Sequence, residues 1–324
     1  MMYEAIKNFN KQFEYEPIIE NADNLEKKDK FIVAGMGGSH LAAGLLKIWR
    51  PKLDLTIHRD YGLPAVSTKE LSENLIILSS YSGNTEEVTD AEETIDVREN
   101  LIKKDLSSVV ISTGGELIEL AKEDLTPYVQ IPDTDIQPRS ALGYSLSALL
   151  KVIGDEDTLK ELSKLTETLN PSEYEEAGKQ LAEKLKGKVP VIYSSTQNMP
   201  IAYNWKIKFN ETGKIPAFYN VLPEMNHNEL EAYSIKELTE KFHFLILKDA
   251  DDDERVQKRM EVLEKLYKDR GLPVDVIEIE GKDKYHRVFA SLILADWTAY
   301  YTAQQYGLEA EKVPMIEEFK KLIK

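Results

Sequence analysis

Leu75-Ile76-Ile77-Leu78-Ser79-Ser80-Tyr81-Ser82-Gly83-Asn84-Thr85 decides how the rest of the chain is read. Four successive apolar residues predict a strand buried on both faces, as in a parallel sheet. The run stops at a loop of hydroxyl side chains around one glycine. From Glu86 onward the residues are acidic, which suits the first turn of a helix, where the dipole favours negative charge. The stretch therefore reads as strand, hydroxyl loop, helix.

The same pattern recurs on both sides of it. Upstream, Phe31-Ile32-Val33-Ala34 predicts a strand that stops at Gly35-Met36-Gly37-Gly38-Ser39, and His40 to Trp49 predicts a helix. Leu53 to His58, Ser108 to Ile111 and Tyr128 to Ile131 read as further strands. Short β-rich runs alternating with amphipathic stretches predict an α/β fold, a mostly parallel sheet flanked by helices. Gly154 to Ser172 is polar and closes on Asn170-Pro171, after which the pattern restarts. Val189 to Tyr193 ends in Ser194-Ser195-Thr196-Gln197-Asn198, and Phe242 to Leu247 and Val274 to Ile279 follow as strands. Two domains are expected, 1–154 and 155–324, and a length of 324 residues suits two ordinary ones. They share an order of elements without a residue-level repeat. The very acidic stretch 86–105 reads as a long solvated helix or helix pair.

Composition narrows the class of partner. Asp and Glu number 57 against 41 Lys and Arg, a formal net charge of −16. Nucleic acid needs the opposite excess along a face, so none is expected as a partner. An anionic substrate would have to be held by local donors against the overall field. There is no cysteine, hence no disulfide framework and no thiolate chemistry. No apolar run approaches the ~20 residues of a membrane span. Met1 to Glu14 lacks a signal-peptide core, so a cytoplasmic protein without a membrane partner is expected.

Loops that follow strands and open helices are natural phosphate cradles, because the first helical N–H groups point outward without partners. Gly37 and Gly38 would let the backbone approach a ligand. Ser39, and Ser80, Ser82 and Thr85 in the second loop, would add hydroxyl donors. Such residues also serve simply as helix caps. Two hydroxyl-rich loops in neighbouring units favour a ligand. A dinucleotide fingerprint is excluded at Gly35-Met36-Gly37, where the third glycine position is His40, and no P-loop occurs.

Taken together, Gly35-Met36-Gly37-Gly38-Ser39, Ser80-Tyr81-Ser82-Gly83-Asn84-Thr85 and Pro138-Arg139-Ser140-Ala141-Leu142-Gly143-Tyr144 resemble the bifunctional phosphoglucose/phosphomannose isomerase family, built on sugar isomerase (SIS) domains. Asn210-Glu211-Thr212-Gly213-Lys214, Glu224-Met225-Asn226-His227-Asn228-Glu229, Asp296-Trp297 and Val313-x-x-Ile316-x-x-Phe319-Lys320 continue the likeness in order. The resemblance implies two SIS-type domains and an enzyme interconverting glucose 6-phosphate, fructose 6-phosphate and mannose 6-phosphate. It implies Glu211 as the base that shuttles the proton and Arg139 as the cation beside the enediolate oxygen. It implies His227 as the ring-opening residue, donated to the neighbouring subunit of a homodimer. Lys320, or Lys321 in the adjacent register, would assist ring opening. Neither metal nor other cofactor is implied, and His227 and Glu229, two residues apart, do not share a helical face. A SIS-type sensor that binds a sugar phosphate without turnover, and another SIS sugar-phosphate isomerase, are the competing readings.

Overall fold

A computed structural model describes residues 1–83 and 106–323, so Asn84, Thr85 and the acidic stretch 86–105 lie outside the described residues. Nine parallel strands form two sheets among the described residues. In the first, β1 (Lys30–Ala34), β2 (Asp54–His58), β3 (Leu75–Ser79), β4 (Ser108–Ser112) and β5 (Tyr128–Gln130) stand in the order β2-β1-β3-β4-β5. In the second, β6 (Val189–Ser195), β7 (Phe218–Leu222), β8 (Phe242–Lys248) and β9 (Val274–Glu278) stand in the order β7-β6-β8-β9. Both sheets step outward from a first strand, reverse, and continue on its other side. Each therefore has one switch point, β1/β3 and β6/β8, where the loops at the carboxyl ends of two neighbouring strands diverge and leave a crevice.

The apolar runs became strands because burial on both faces rewards them. All five residues of β3 are buried, and Ile76 packs with Ile32, Leu78, Val110, Leu117 and Ile118 in the first core. In the second, Tyr193, Phe244, Ile246, Met260, Leu263 and Tyr267 pack together. One strand was not expected. β7 carries Asn220 at its centre and is mostly half-buried, so it lacks the apolar run that marks its neighbours. It lies at the sheet edge, paired only to β6, where such a sequence is tolerated. The first expected helix begins at Leu41, one residue after His40, because Gly37–His40 winds as a tighter 3₁₀ turn.

The chain divides into two compact units whose ends are exchanged. The N-terminal unit comprises Phe9–Glu167 with Pro314–Lys324, and the C-terminal unit Met1–Asn8 with Thr168–Val313. The helix Glu156–Ser163 stays with the N-terminal unit. Arg50 holds it there, donating from Nε and Nη2 to the two oxygens of Asp155 at 2.8 and 3.0 Å, and to Thr158. In the C-terminal unit, Met1–Asn8 docks on the helix Lys284–Gln305 through Tyr3, whose ring meets Trp297 edge-on at 5.1 Å. None of the described helices is long and apolar enough to cross a membrane.

Candidate active site

At the β1/β3 switch point of the N-terminal unit, three segments are pressed together. Gly35 follows β1, and a Cβ there would sit 2.6 Å from the carbonyl oxygen of Ser79, so only glycine lets the two strand ends meet. Ser39 then ties the loops: its carbonyl accepts from Ser79 Oγ at 2.8 Å, and its own Oγ accepts from the Tyr81 N–H at 3.0 Å. Ser80 is fully buried and its Oγ accepts the Gly83 N–H at 3.1 Å, closing the second loop on itself. Ser82 is half-buried. Gly83, at φ +65°, packs so closely on the carbonyl of Gly114 that any Cβ would overlap it.

The third segment is the turn Pro138–Ser140. A Cβ on Gly38 would meet Pro138 Cβ at 2.6 Å and the backbone nitrogen of Arg139 at 2.9 Å. The glycine loop and the Arg139 turn thus share one contact surface. Arg139 is 2% exposed, and a cation so placed keeps its charge at any working pH. The turn is held from behind by Gln12, a residue that carried no signal in the sequence. Buried Gln12 donates from Nε2 to Ser140 O at 2.7 Å and accepts the Gly143 N–H on Oε1 at 2.9 Å. His40 ends the 3₁₀ turn of the first loop and is buried. Burial, reinforced by Arg59, pushes its imidazole down to about 4, so it is neutral at physiological pH.

Lys320 also belongs to the N-terminal unit, on the helix Pro314–Leu322. Its side chain is 19% exposed and lies 3.7 Å from Glu317, while Lys321 faces solvent. Of the two lysines, Lys320 is the one that packs.

Glu211 and His227 are carried by the C-terminal unit. Glu211, half-buried, lies in a π-helical turn, Lys208–Thr212, that continues the helix Met199–Ile207. Such turns widen a helix locally and aim a side chain that regular winding would direct elsewhere. Two lysines fix this one. Lys208 is buried and pairs at 2.7 Å with equally buried Asp296 of the long helix Lys284–Gln305. Lys214 reaches the Glu211 carbonyl at 2.5 Å and also the carbonyl of Lys312, so its ammonium ties the turn to a distant loop. Asp296 was visible in the sequence only as part of the resemblance, and its partner Lys208 not at all.

His227 is exposed on the short helix Met225–Asn228 that follows β7. Glu229, two residues on, is the anchor of this turn. Its Oε1 accepts from Tyr193 at 2.5 Å and Tyr233 at 2.7 Å, and its Oε2 from Asn220 of β7. Burial and this carboxylate raise the Tyr193 and Tyr233 hydroxyls well above the ordinary tyrosine range, so they remain protonated donors. Thr85, the remaining expected phosphate ligand, lies outside the described residues.

Comparison with known proteins follows the same outline. Residues 174–323 match the bacterial phospho-glucose isomerase C-terminal SIS domain. The chain is 32% identical over all of its length to the bifunctional phosphoglucose/phosphomannose isomerase of Aquifex aeolicus, of which 98% is covered. It is 34% identical to that of Caldicellulosiruptor bescii, over 98% of each chain. Among solved structures, glucosamine-6-phosphate deaminase from Thermotoga maritima has the same fold, with a TM-score of 0.63 at 17% identity over 97% of this chain and 96% of that one.

Proposed function

Because this chain belongs to the bifunctional phosphoglucose/phosphomannose isomerase family, we propose that it interconverts glucose 6-phosphate, mannose 6-phosphate and fructose 6-phosphate by metal-free proton transfer through a cis-enediol. The observation that carries this reading is the seating of the Gly37–Ser39 loop directly on the Arg139 turn, at the switch point. It gives one unit both a set of small donors suited to a phosphate and a permanent cation, in a protein whose net charge is strongly negative.

In this reading the phosphate rests on the backbone of Gly37 and Gly38 and the hydroxyls of Ser39, Ser82 and Thr85. Ser80, buried with its hydroxyl on the Gly83 N–H, shapes the loop and adds what donor capacity its geometry leaves. Once the sugar ring is open, the Glu211 carboxylate takes the proton from C2. The C2–H electrons form the C1–C2 double bond, and the carbonyl electrons move to O1. Arg139 stabilises the charge that develops there, and such preorganised stabilisation is commonly the largest single contribution to catalysis. The hydroxyl proton of O2 passes to O1, the O2 electrons form the C2 carbonyl, and the C1–C2 double-bond electrons take the proton back from Glu211 at C1. Rotation of the opened sugar about C2–C3 presents either face of C2 to the same base, which admits the mannose epimer.

His227, exposed on its turn and fixed by Glu229, is suited to move the ring-oxygen and hydroxyl protons in the site of a neighbouring subunit, with Lys320 assisting. An imidazole has two ring nitrogens, one able to donate while the other accepts, so it can serve in both directions. The same reading carries the further proposal of a homodimer with shared sites, acting in hexose phosphate metabolism in the cytoplasm.

The test is turnover of each hexose 6-phosphate separately, with and without EDTA, by the protein and by Glu211→Gln. Interconversion insensitive to EDTA is expected, with kcat lowered by about 10³-fold or more in the variant and phosphate affinity kept. Binding without turnover in the unaltered protein would establish the sensor instead. Turnover of an amino-sugar phosphate alone would establish a different SIS isomerase, and loss of activity in EDTA would overturn the metal-free chemistry.

A further inference from the structure

At the amino ends of β6, β8 and β9, the edge of the second sheet opposite its switch point, the C-terminal unit has an open cavity of about 640 Å³. Lys188, Lys236, Lys241 and Arg270 line it, with Glu240 as its one acidic residue. Three cationic charges in excess are gathered here, on a chain whose net charge is −16. Among the described residues none of the four cations forms an ion pair. Lys188 and Arg270 instead donate to carbonyls, Glu240 O at 2.8 Å and Leu266 O at 3.0 Å. Backbone carbonyls hold these two in place without neutralising them. Ser234 and Thr239 add hydroxyls, and Leu272, Pro273 and the Tyr233 ring supply an apolar wall.

We propose that this cavity binds a small molecule carrying two phosphate groups, as a site separate from the hydroxyl loops. The volume is too large for one phosphate, and four cations are enough to pair two such groups. The apolar wall suits the sugar body of a bisphosphate or the base of a nucleoside diphosphate. One wall of the cavity is also wired to the proposed catalytic turn. Tyr233 lines the cavity, and its hydroxyl donates to Glu229, which anchors the turn carrying His227. Occupancy that shifts Tyr233 shifts that anchor, so the ligand modulates turnover. This second step rests on the role given to His227, whereas the binding does not.

The probe is inorganic pyrophosphate, titrated calorimetrically into the whole protein at low salt, where exposed charges are least screened. One binding event per chain is expected that Lys236→Gln/Lys241→Gln weakens about tenfold, while basal isomerase activity stays unchanged. Glu240→Gln removes the opposing charge and is expected to tighten it about threefold. Ser82→Ala leaves it as it was. ADP and fructose 1,6-bisphosphate, titrated in the same way, identify the carrier as nucleotide or sugar by which binds more tightly. Pyrophosphate is expected to change kcat at least about twofold, and Tyr233→Phe to keep the binding and lose that response. No binding, binding indifferent to both cavity variants, or binding lost only in Ser82→Ala overturns the site. Binding without any effect on turnover overturns the coupling alone.

Discussion

Three buried polar residues in this protein, Lys208, Asp296 and His40, have measurable consequences. Lys208 and Asp296 neutralise each other at 1% and 3% side-chain exposure. A buried pair is a modest source of stability, but removing one member strands the other in a medium that cannot solvate it. Asp296→Asn is therefore expected to cost about 3–5 kcal/mol in a denaturant melt. Lys208→Met/Asp296→Leu, which removes both charges, should recover most of that loss, and a double variant as unstable as the single one would contradict this account. His40 gives a pH dependence. Its folded value near 4 lies below the ordinary value of 6.5, so the unfolded chain binds the proton more readily. Its contribution is complete above pH 6.5 and is lost as pH falls towards 4, with a total on the order of 3 kcal/mol. Replacing it by Gln should flatten the stability profile between those limits, as read from urea midpoints at successive pH values.

Among the elements, loops are positioned by contacts too close to admit a side chain. Gly38 meets the backbone of Pro138 and Arg139, so Gly38→Ala must separate the glycine loop from the Arg139 turn by several tenths of an ångström. The expected cost is about 1–3 kcal/mol of stability. KM for the sugar phosphate should rise with it, because the displaced loop is the proposed phosphate cradle. Thermal melts and steady-state kinetics on one preparation check both. A rise in KM without loss of stability would mean that the loop yields freely. The C-terminal unit uses a different device for the same end. Glu211 is aimed by a π-helical turn held by Lys208 and Lys214, and His227 by a carboxylate that three donors fix.

For the molecule as a whole, the proposed division of labour between units and between subunits is the testable feature. Arg139, Lys320 and the hydroxyl loops belong to the N-terminal unit, and Glu211 and His227 to the C-terminal one. If His227 serves a neighbouring subunit, Glu211→Gln and His227→Ala homodimers are each inactive, yet a mixed dimer contains one site with both groups intact. Subunit exchange at equal concentrations is expected to restore roughly a quarter of the native activity, since half of the dimers are mixed and one of their two sites is complete. No recovery, with exchange verified by mass, would place His227 in its own chain's site.

The strands other than β7, the mostly parallel sheets and the hydroxyl loops were legible because each rests on local chemistry. An apolar run must be buried, and glycine and serine at its end leave room and donors for a ligand. Motif residues such as Arg139, Glu211 and His227 could be singled out by resemblance for the same reason: their neighbours travel with them in the chain. What the sequence by itself determined was thus two α/β units and the family, with a set of candidate sites. The tertiary structure alone decided which residues support those sites. Gln12 meets Ser140 and Gly143 from more than 125 positions away, Lys208 meets Asp296 across 88, and Tyr193 meets Glu229 across 36. It also decided the exchange of the chain ends and the strand β7, whose polar centre is tolerable only at an edge. Supporting contacts are invisible in a chain read locally, because a polar residue becomes structural only when folding removes its water and supplies a particular partner.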